Sequence, residues 1–468
     1  MSSTRPARLF AWAAPAAALI LGTSCSAITQ FQDPCSDNAG CRAAFGVGWV
    51  CADSGLCEEA AAEPLCPTSQ FFPSKPSDAD TILLATLLDS DLDVDMVDAA
   101  VLAVQQTLNE TAPPVPRKFA LVRCTYGSDE NSQVDNAKRA ARYAIDDLGA
   151  AAIIGPGTSR LAEAVFQEVG DRALIISPSA TSDSLTIIDG LTKSAEEPGL
   201  FWRTVAPDAY QGEVIANLVI EAARAKIALV FKQGSYGQGL AEQVTKTLAA
   251  QGYSLDDVLQ WPFTSATGDL TVFIGEVDAS AAEEVIFITD STDDVVGFLT
   301  AASGKPGFAT KKILLSDTGY NDAVLGPAAS FMDGQIRGVR PSPSEGPVYA
   351  SYRAAYNVLH KRDPTAYTPE TYDATWLAIY GATWAELRGG GLSPKAMAQG
   401  LHQLSAGELV NVDALSWKRV GQFFKEGMGV DLVGASGELN YDDVTEETQG
   451  KIEVWEIKGG AFARIEFK

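Results

Sequence analysis

Histidine is nearly missing from this chain: His360 and His402 are the only two in 468 residues. That leaves little for imidazole catalysis or His-based metal sites, and both fall in helical stretches where surface positions are expected. Basic residues are also scarce, with 35 Lys+Arg against 60 Asp+Glu and a formal charge of −25. Binding to phosphate backbones needs clustered cations that displace counterions, so a nucleic-acid binder is excluded and charge-driven adhesion to anionic lipid is disfavoured. There is no GxSxG elbow, no HExxH, and no dinucleotide or P-loop fingerprint. Gly234-Ser235-Tyr236-Gly237-Gln238-Gly239 is glycine-rich but lacks the Lys-Ser/Thr of a phosphate loop. A hydrolase is therefore the weaker functional class, and no cofactor is expected. No apolar run reaches the ~20 residues of a spanning helix, and no fixed-period repeat is present.

What is present suits a folded, acidic binding protein. Hydrophobic residues make up 46% and charged residues 20%, ordinary for a globular chain. At roughly 150 residues per domain the length predicts about three units. Arg5 and Arg8 precede the apolar run Leu9–Gly22, followed by small residues and Cys25, the order of an export signal over residues 1–24. Leu21-Gly22-Thr23-Ser24-Cys25 resembles a bacterial lipobox, which makes Cys25 the lipidated first residue of a mature protein held to a membrane by its lipid. It departs from that pattern at Gly22, where Leu is usual; the plainer alternative is a cleaved signal with Cys25 incidental. Ser26 is compatible with outer-membrane sorting.

Six cysteines follow: Cys35, Cys41, Cys51, Cys57, Cys66 and Cys124. An exported chain sits where disulfides persist, and so small a Gly/Asp/Pro-rich segment cannot build its own core. A zinc ribbon would need close CxxC knuckles, which are absent. Spacing does not determine the pairing. The working guess is Cys35–Cys51 and Cys41–Cys57, leaving Cys66 and Cys124 to join a stalk to the main body. Residues 67–78, with Pro67, Pro73 and Pro76, read as a linker.

From Thr81 the chain alternates apolar strands with helical patterns. Strands are expected at Ile82–Leu88, Phe119–Cys124, Ala151–Gly155, Leu174–Ser177, Ile227–Phe231, Val285–Thr289 and Ile313–Ser316. Helices are expected at Asp95–Leu108, at Gln133–Leu148 and from Ser159. Near-continuous apolar strands separated by helices indicate parallel sheets covered on both faces. The unit recurs too often for one small domain, so two α/β lobes are expected, followed by a helix-rich stretch Val348–Lys425. The tail alternates as antiparallel strands at Glu438–Tyr441, Lys451–Ile457 and Phe462–Phe467.

In open α/β sheets ligands gather at the carboxyl ends of strands. Gly155-Pro156-Gly157-Thr158-Ser159 follows a strand and opens a helix, so its free N–H groups and helix dipole favour a carboxylate. A simple N-cap would also explain Thr158 or Ser159. Ser177-Pro178-Ser179-Ala180-Thr181 follows the next strand and adds hydroxyls, although a polar turn would look the same. Adjacent strands place both loops on one sheet edge.

Together these motifs resemble the type I periplasmic binding proteins, in their leucine/isoleucine/valine-binding branch. Ile154-Gly155…Thr158-Ser159…Ala164 and Ile176-Ser177-Pro178-Ser179-Ala180-Thr181 match the first lobe. Phe201-Trp202-Arg203-Thr204-Val205…Asp208…Gln211-Gly212 matches the first crossing between lobes, and Tyr236-Gly237-Gln238-Gly239 the second lobe. Tyr367…Tyr372-Asp373-Ala374 and Gly437-Glu438-Leu439-Asn440-Tyr441-Asp442…Gly450 also fit.

The resemblance implies two Rossmann-like lobes with parallel sheets joined by three crossings, plus a small disulfide-rich N-terminal module. The implied division is signal 1–24, stalk and linker 25–77, first lobe 78–205 and 339–436, second lobe 206–338, and C-terminal strands 437–468 completing the second lobe. It implies that Thr158, with Ser159 beside it, binds a ligand carboxylate. Ser179 and Thr181 hold carboxylate and ammonium, Tyr236 closes over the ligand, and Asp317 pairs with its ammonium. Ser291 and Tyr367 fall near the cleft. Ser291 stands where branched-chain binders carry an aromatic, which leaves side-chain preference open.

The acidic loop Asp89-Ser90-Asp91-Leu92-Asp93-Val94-Asp95 is unlike an EF-hand, with Val94 at the sixth position and Ala100 at the twelfth. It reads as a solvated loop with Asp95 capping the helix, or else as a site for a cation near the cleft mouth. The expected function is a monomeric clamp that captures an amino acid or similar small polar solute for an ABC permease or membrane receptor. Its hinges are expected near Arg203–Pro207, Gly338–Pro341 and Val433–Gly437. A sensory or adhesive surface lipoprotein is the other reading.

Overall fold

A computed structural model describes residues 34–77, 80–89, 93–264, 266–342 and 345–468, with side chains of 266–271 left out. Cys25, the export signal and residues 90–92 of the acidic loop lie outside the described residues.

The N-terminal module is helix α1 (Asn38–Phe45) and the hairpin β1 (Trp49–Cys51)–β2 (Cys57–Glu59). Disulfides Cys35–Cys51 and Cys41–Cys57 staple it, and Cys66–Cys124 fastens it to the body. All six sulfurs are thus in disulfides, not in a zinc ribbon. Residues 67–77 are more than the linker their prolines suggest. They include β3 (Phe71–Phe72), which pairs antiparallel with β5 and buries Phe71. The Arg42 guanidinium and the Asn38 amide both donate to the Asp146 carbonyl, at 2.7 and 2.9 Å. The module is therefore seated on the first lobe.

That lobe is built on β4 (Thr81–Leu87), β5 (Lys118–Cys124), β6 (Ala152–Ile154), β7 (Leu174–Ser177) and β8 (Phe201–Arg203), in the order β3-β5-β4-β6-β7-β8. All pairs except β3–β5 are parallel. Alternation along β4 sends Ile82 and Leu84 to one core and Leu83 and Ala85 to the other, so both faces need cover and the strand is apolar throughout. Helices α2 (Val94–Asn109) and α11 (Thr368–Leu387) cover one face; α3 (Gln133–Arg142) and α4 (Ser159–Val169) cover the other. Helix α11 is buried nearly all round and carries Glu370 and Asp373 into the interior beside its apolar residues. The helix expected over Gln133–Leu148 gives way to a π-turn at Tyr143–Asp147.

The second lobe holds β9 (Ile227–Lys232), β10 (Val258–Phe263), β11 (Glu284–Ile288), β12 (Lys312–Leu315), β13 (Ile336–Pro341), β16 (Ile452–Lys458) and β17 (Ala461–Phe467). Their order is β10-β9-β11-β12-β13-β16-β17, with the last two antiparallel. Helices α5 (Asp208–Glu221) and α6 (Ser235–Ala250) cover one face and α8 (Thr292–Ser303) the other. A small parallel pair, β14 (Glu408–Asn411) and β15 (Val430–Val433), stands apart.

Glu438–Tyr441, read as a strand, makes only isolated bridges. Leu439 and Tyr441 pack into the first lobe's core, and that packing accounts for the alternating pattern. The chain thus leaves the first lobe later than expected, near Gly450 rather than at Val433–Gly437. There the Ser342 amide donates to the Lys451 carbonyl at 2.8 Å, and a Cβ on Gly450 would lie 2.8 Å from the Ala206 Cβ. The three crossings run side by side. Both histidines are packed rather than at the surface. The His402 side chain is 5% exposed, its Nε2 2.6 Å from buried Glu446, and His360 Nδ1 meets Asp98 at 3.1 Å.

Candidate functional site

Strands β6 and β7 end side by side, so the loops after them share one rim of the first lobe. Thr158 takes the N-cap position of α4 without making a side-chain cap bond, and its buried Oγ1 has no hydrogen-bond partner among the described residues. Simple capping thus does not account for this hydroxyl. Ser159 ties the two loops together, its Oγ accepting from the Ser182 amide at 3.1 Å. The Ser179 hydroxyl donates to the Gly157 carbonyl at 2.8 Å. Buried Thr181 uses its carbonyl to accept from the Asp208 amide at 2.8 Å, which links the rim to the first turn of α5 across the crossing.

Opposite lies Asp317, in the turn after β12. Tyr236, in the first turn of α6, donates to its Oδ1, and Tyr367, reaching from the first lobe, donates to its Oδ2. Tyr367 precedes α11 in the left-handed region, at φ 60°. Three of the expected site residues thus converge on one carboxylate, with contributions from both lobes. Burial, and then the charge of Asp317, pushes both tyrosine hydroxyls well above their usual range. The lobes also meet where the Ser182 hydroxyl donates to the Ser235 carbonyl at 2.9 Å and where Lys232 pairs with Glu130 at 2.7 Å. A cavity of about 160 Å³ beside Tyr236 is lined by Glu130, Arg160, Lys232, Ser235 and Asp290 among others.

Ser291 is not drawn into this group. It precedes α8, and its amide donates to Thr289 Oγ1 of its own loop at 3.2 Å. The acidic loop also differs from expectation. Asp95 does not cap α2; it pairs with Arg362 and accepts from the Thr365 hydroxyl at 2.9 Å. Asp93 precedes the helix instead and accepts from the Asp89 amide and the Tyr126 hydroxyl at 3.0 and 3.2 Å.

Asp208 and Glu370 were not singled out from sequence. Asp208 is 0% exposed; neither carboxylate oxygen makes a well-formed hydrogen bond among the described residues, although the Thr181 side chain is placed to give it one. Burial, then Asp317 and Asp183, drives its carboxyl well above the usual range. Glu370 is 4% exposed, and burial raises it to about 8. Asp208 sits in the crossing motif, where its spacing to Gln211 was the available signal. Its isolation arises only when the crossing folds beneath Asp317.

The arrangement is a two-lobed cleft with hydroxyls and a helix N-terminus on one rim and carboxylates on the other. Among the described residues no helix is long and apolar enough to cross a membrane. A curated relative, the Leu/Ile/Val-binding protein BraC3 of Rhizobium johnstonii, is 28% identical over 162 residues, 34% of this chain and 41% of that protein. The match thus spans less than half of that relative's length. The fold is similar to a leucine-binding protein LivK from Thermotoga maritima (TM-score 0.64, 16% identity, 82% of this chain and 98% of that one). It is similar also to the substrate-binding protein LivJ from Streptococcus pneumoniae solved with isoleucine (TM-score 0.61, 16% identity, 82% and 99%). A solute-binding protein from R. palustris solved with benzoate gives a TM-score of 0.62 at 16% identity, over 83% and 96%. A family model described as "Periplasmic binding protein" matches residues 117–422. That match covers more than half of the sequence, and the chain belongs to the periplasmic binding proteins, a family of solute-binding proteins and not of enzymes.

Proposed function

We propose that this protein is an exported lipoprotein that captures an amino acid, or a similar small polar solute with an amino group, between its lobes for delivery to an ABC-type permease. Asp208 carries the reading: a fully buried acid with no ion pair among the described residues, beside Asp317, gains from a cation. The unpartnered Thr158 hydroxyl, with Ser159, Ser179 and Thr181 on the same rim, supports a carboxylate there. Charge-assisted hydrogen bonds at both ends would be roughly twice as strong as neutral ones. Tyr236 and Tyr367 would turn from Asp317 to the ligand, and Ser291 would leave room at the far end of the cleft. The leucine and isoleucine named for the similar proteins fit this chemistry. Benzoate lacks the cation that Asp208 and Asp317 require. In this reading residues 1–24 are removed and Cys25 carries the lipid.

The test is a melting-shift panel of amino acids and small peptides on mature protein stripped of ligand by unfolding and refolding under oxidising conditions. A ligand at 100 times its Kd adds about 2.7 kcal/mol. A response to α-amino acids that disappears in Asp317→Ala and in Thr158→Ala is expected. A second reading, a sensory or adhesive lipoprotein without transport, has one observation in its favour: the protein's own tyrosines from both lobes already fill Asp317. Silence across the panel would select it.

A further inference from the structure

The cavity beside Tyr236 lies between the lobes, with Glu130 and Arg160 contributed by the first and Lys232, Ser235, Thr264 and Asp290 by the second. Thr158, Ser179, Thr181 and Asp317 do not line it, so it is space beyond the seats assigned above to a carboxylate and an ammonium. Tyr236 connects the two regions, since it lines the cavity and donates to Asp317. Asp290, next to Ser291 in sequence, places the cavity at the end of the cleft where the reading above leaves room for a side chain. Its volume of about 160 Å³ is that of about five waters, enough for the polar end of one short side chain.

Its wall is polar. Apart from the Tyr236 ring, Thr264 and the stems of Arg160 and Lys232, no hydrocarbon side chain is among the lining residues. Arg160, in the first turn of α4, has no ion pair among the described residues; its Nη2 donates to Gln133 Oε1 at 3.1 Å, which leaves the other guanidinium N–H groups for a ligand. On the opposite wall acceptors are in excess, because Lys232 alone meets Glu130, Asp290 and Asp294 at 2.7, 3.0 and 3.3 Å. A hydrocarbon side chain would strip water from these groups without replacing its bonds. A carboxylate would suit Arg160 but stand against Glu130 and Asp290. A carboxamide answers both, its oxygen accepting from Arg160 and its N–H groups donating to the acids.

We infer that the solute is an amino acid whose side chain ends in an uncharged carboxamide, received by Arg160 on one wall of this cavity and by Glu130 and Asp290 on the other. This rests on the amino-acid reading above and names the class of side chain the cleft selects. The observations that point to it are independent of Asp208: a polar cavity between the lobes and a cation on its wall without an acid partner among the described residues.

The test is calorimetric titration of the ligand-stripped mature protein. Asparagine and glutamine are compared with leucine and norleucine, which match them in length without a hydrogen-bonding end, and with aspartate and glutamate. The better of the two amides is expected to bind roughly 10- to 100-fold more tightly than its apolar match, the worth of one charge-assisted hydrogen bond, and more tightly than its acid. The first ratio should fall towards one in Arg160→Met. If that variant does not fold, the ratios in the unmodified protein decide alone. An apolar match that binds as tightly as the amide, an acid that binds more tightly, or a ratio unchanged in Arg160→Met would overturn this inference and leave the amino-acid reading standing. If none of these solutes binds but another α-amino acid does, only this inference falls; if no amino acid binds, both are overturned.

Discussion

Replacing Glu370 with Gln should make the ligand-free protein more stable at pH 8 and leave it unchanged near pH 4.5. Glu370 sits in the first turn of α11, 4% exposed, with Oε2 lacking a hydrogen-bond partner among the described residues. Burial is the main cause that raises its carboxyl from 4.5 to about 8; its own amide lowers it, Asp373 raises it and Arg340 lowers it. Between those two values the unfolded chain has released the proton while the folded chain still holds it. Folded protein thus binds more protons, and stability falls as pH rises through that window. Each unit is worth about 1.4 kcal/mol, so at pH 7 the penalty is on the order of 3 kcal/mol. Glutamine keeps the shape and does not titrate. For a chain of this length, ~3 kcal/mol corresponds to about 3 °C in Tm. Scanning calorimetry of both proteins from pH 4.5 to 8 should show a gap that opens steadily with pH. A gap independent of pH, or a less stable variant at pH 8, would refute the assignment of Glu370 as a buried acid held neutral.

Other positions make separate predictions. Replacing both Cys66 and Cys124 with Ser opens a link across 58 residues of sequence, for a loss of about 4 kcal/mol on chain-entropy grounds, readable by chemical denaturation. Arg203→Met leaves Glu447 and two carbonyls without their donor; a loss of about 3–5 kcal/mol is expected, and double substitution with Glu447→Gln should recover part of it. Lys232→Met breaks the bridge from the second lobe to Glu130 on the first, so it should speed ligand release in stopped-flow measurements, more than Glu130→Gln does, because Lys232 also holds Asp290 and Asp294.

The sheets were legible because burial on both faces makes each strand a continuous apolar word, as in Ile227-Ala228-Leu229-Val230. Shorter strands were not. β3 is two residues long, and the prolines around it signal a linker more loudly than Phe71-Phe72 signals an edge. Leu439 and Tyr441 alternate like a strand, but they do so to reach the first lobe's core from a bridged loop. At the site, Tyr236, Tyr367 and Asp317 were reached through the family resemblance. Composition and periodicity do not reveal that the two hydroxyls meet one carboxylate. Asp208 was in view as part of a crossing motif, yet its isolation depends on what folds around it. His402 looked like a surface residue because its partner, Glu446, lies 44 positions away.

The same geometry constrains how closure could work. A ligand moves the open–closed balance only to the extent that it binds closed better. Tyr367 and Asp317 come from different lobes, so their bond stabilises closure even without solute. A bound ammonium would take Asp317 from the two tyrosines and must return more than it displaces. In this reading Asp208 supplies that difference, because its carboxyl gains a cation in the liganded state and has no ion pair among the described residues without it. Asp208→Asn should therefore weaken ligand binding while stabilising the empty protein, as removal of a buried unpaired acid does. Titration calorimetry and ligand-free melting on the one variant would show both effects. A variant that lost stability along with affinity would mean Asp208 is a structural acid, and the cleft would need another source of differential binding.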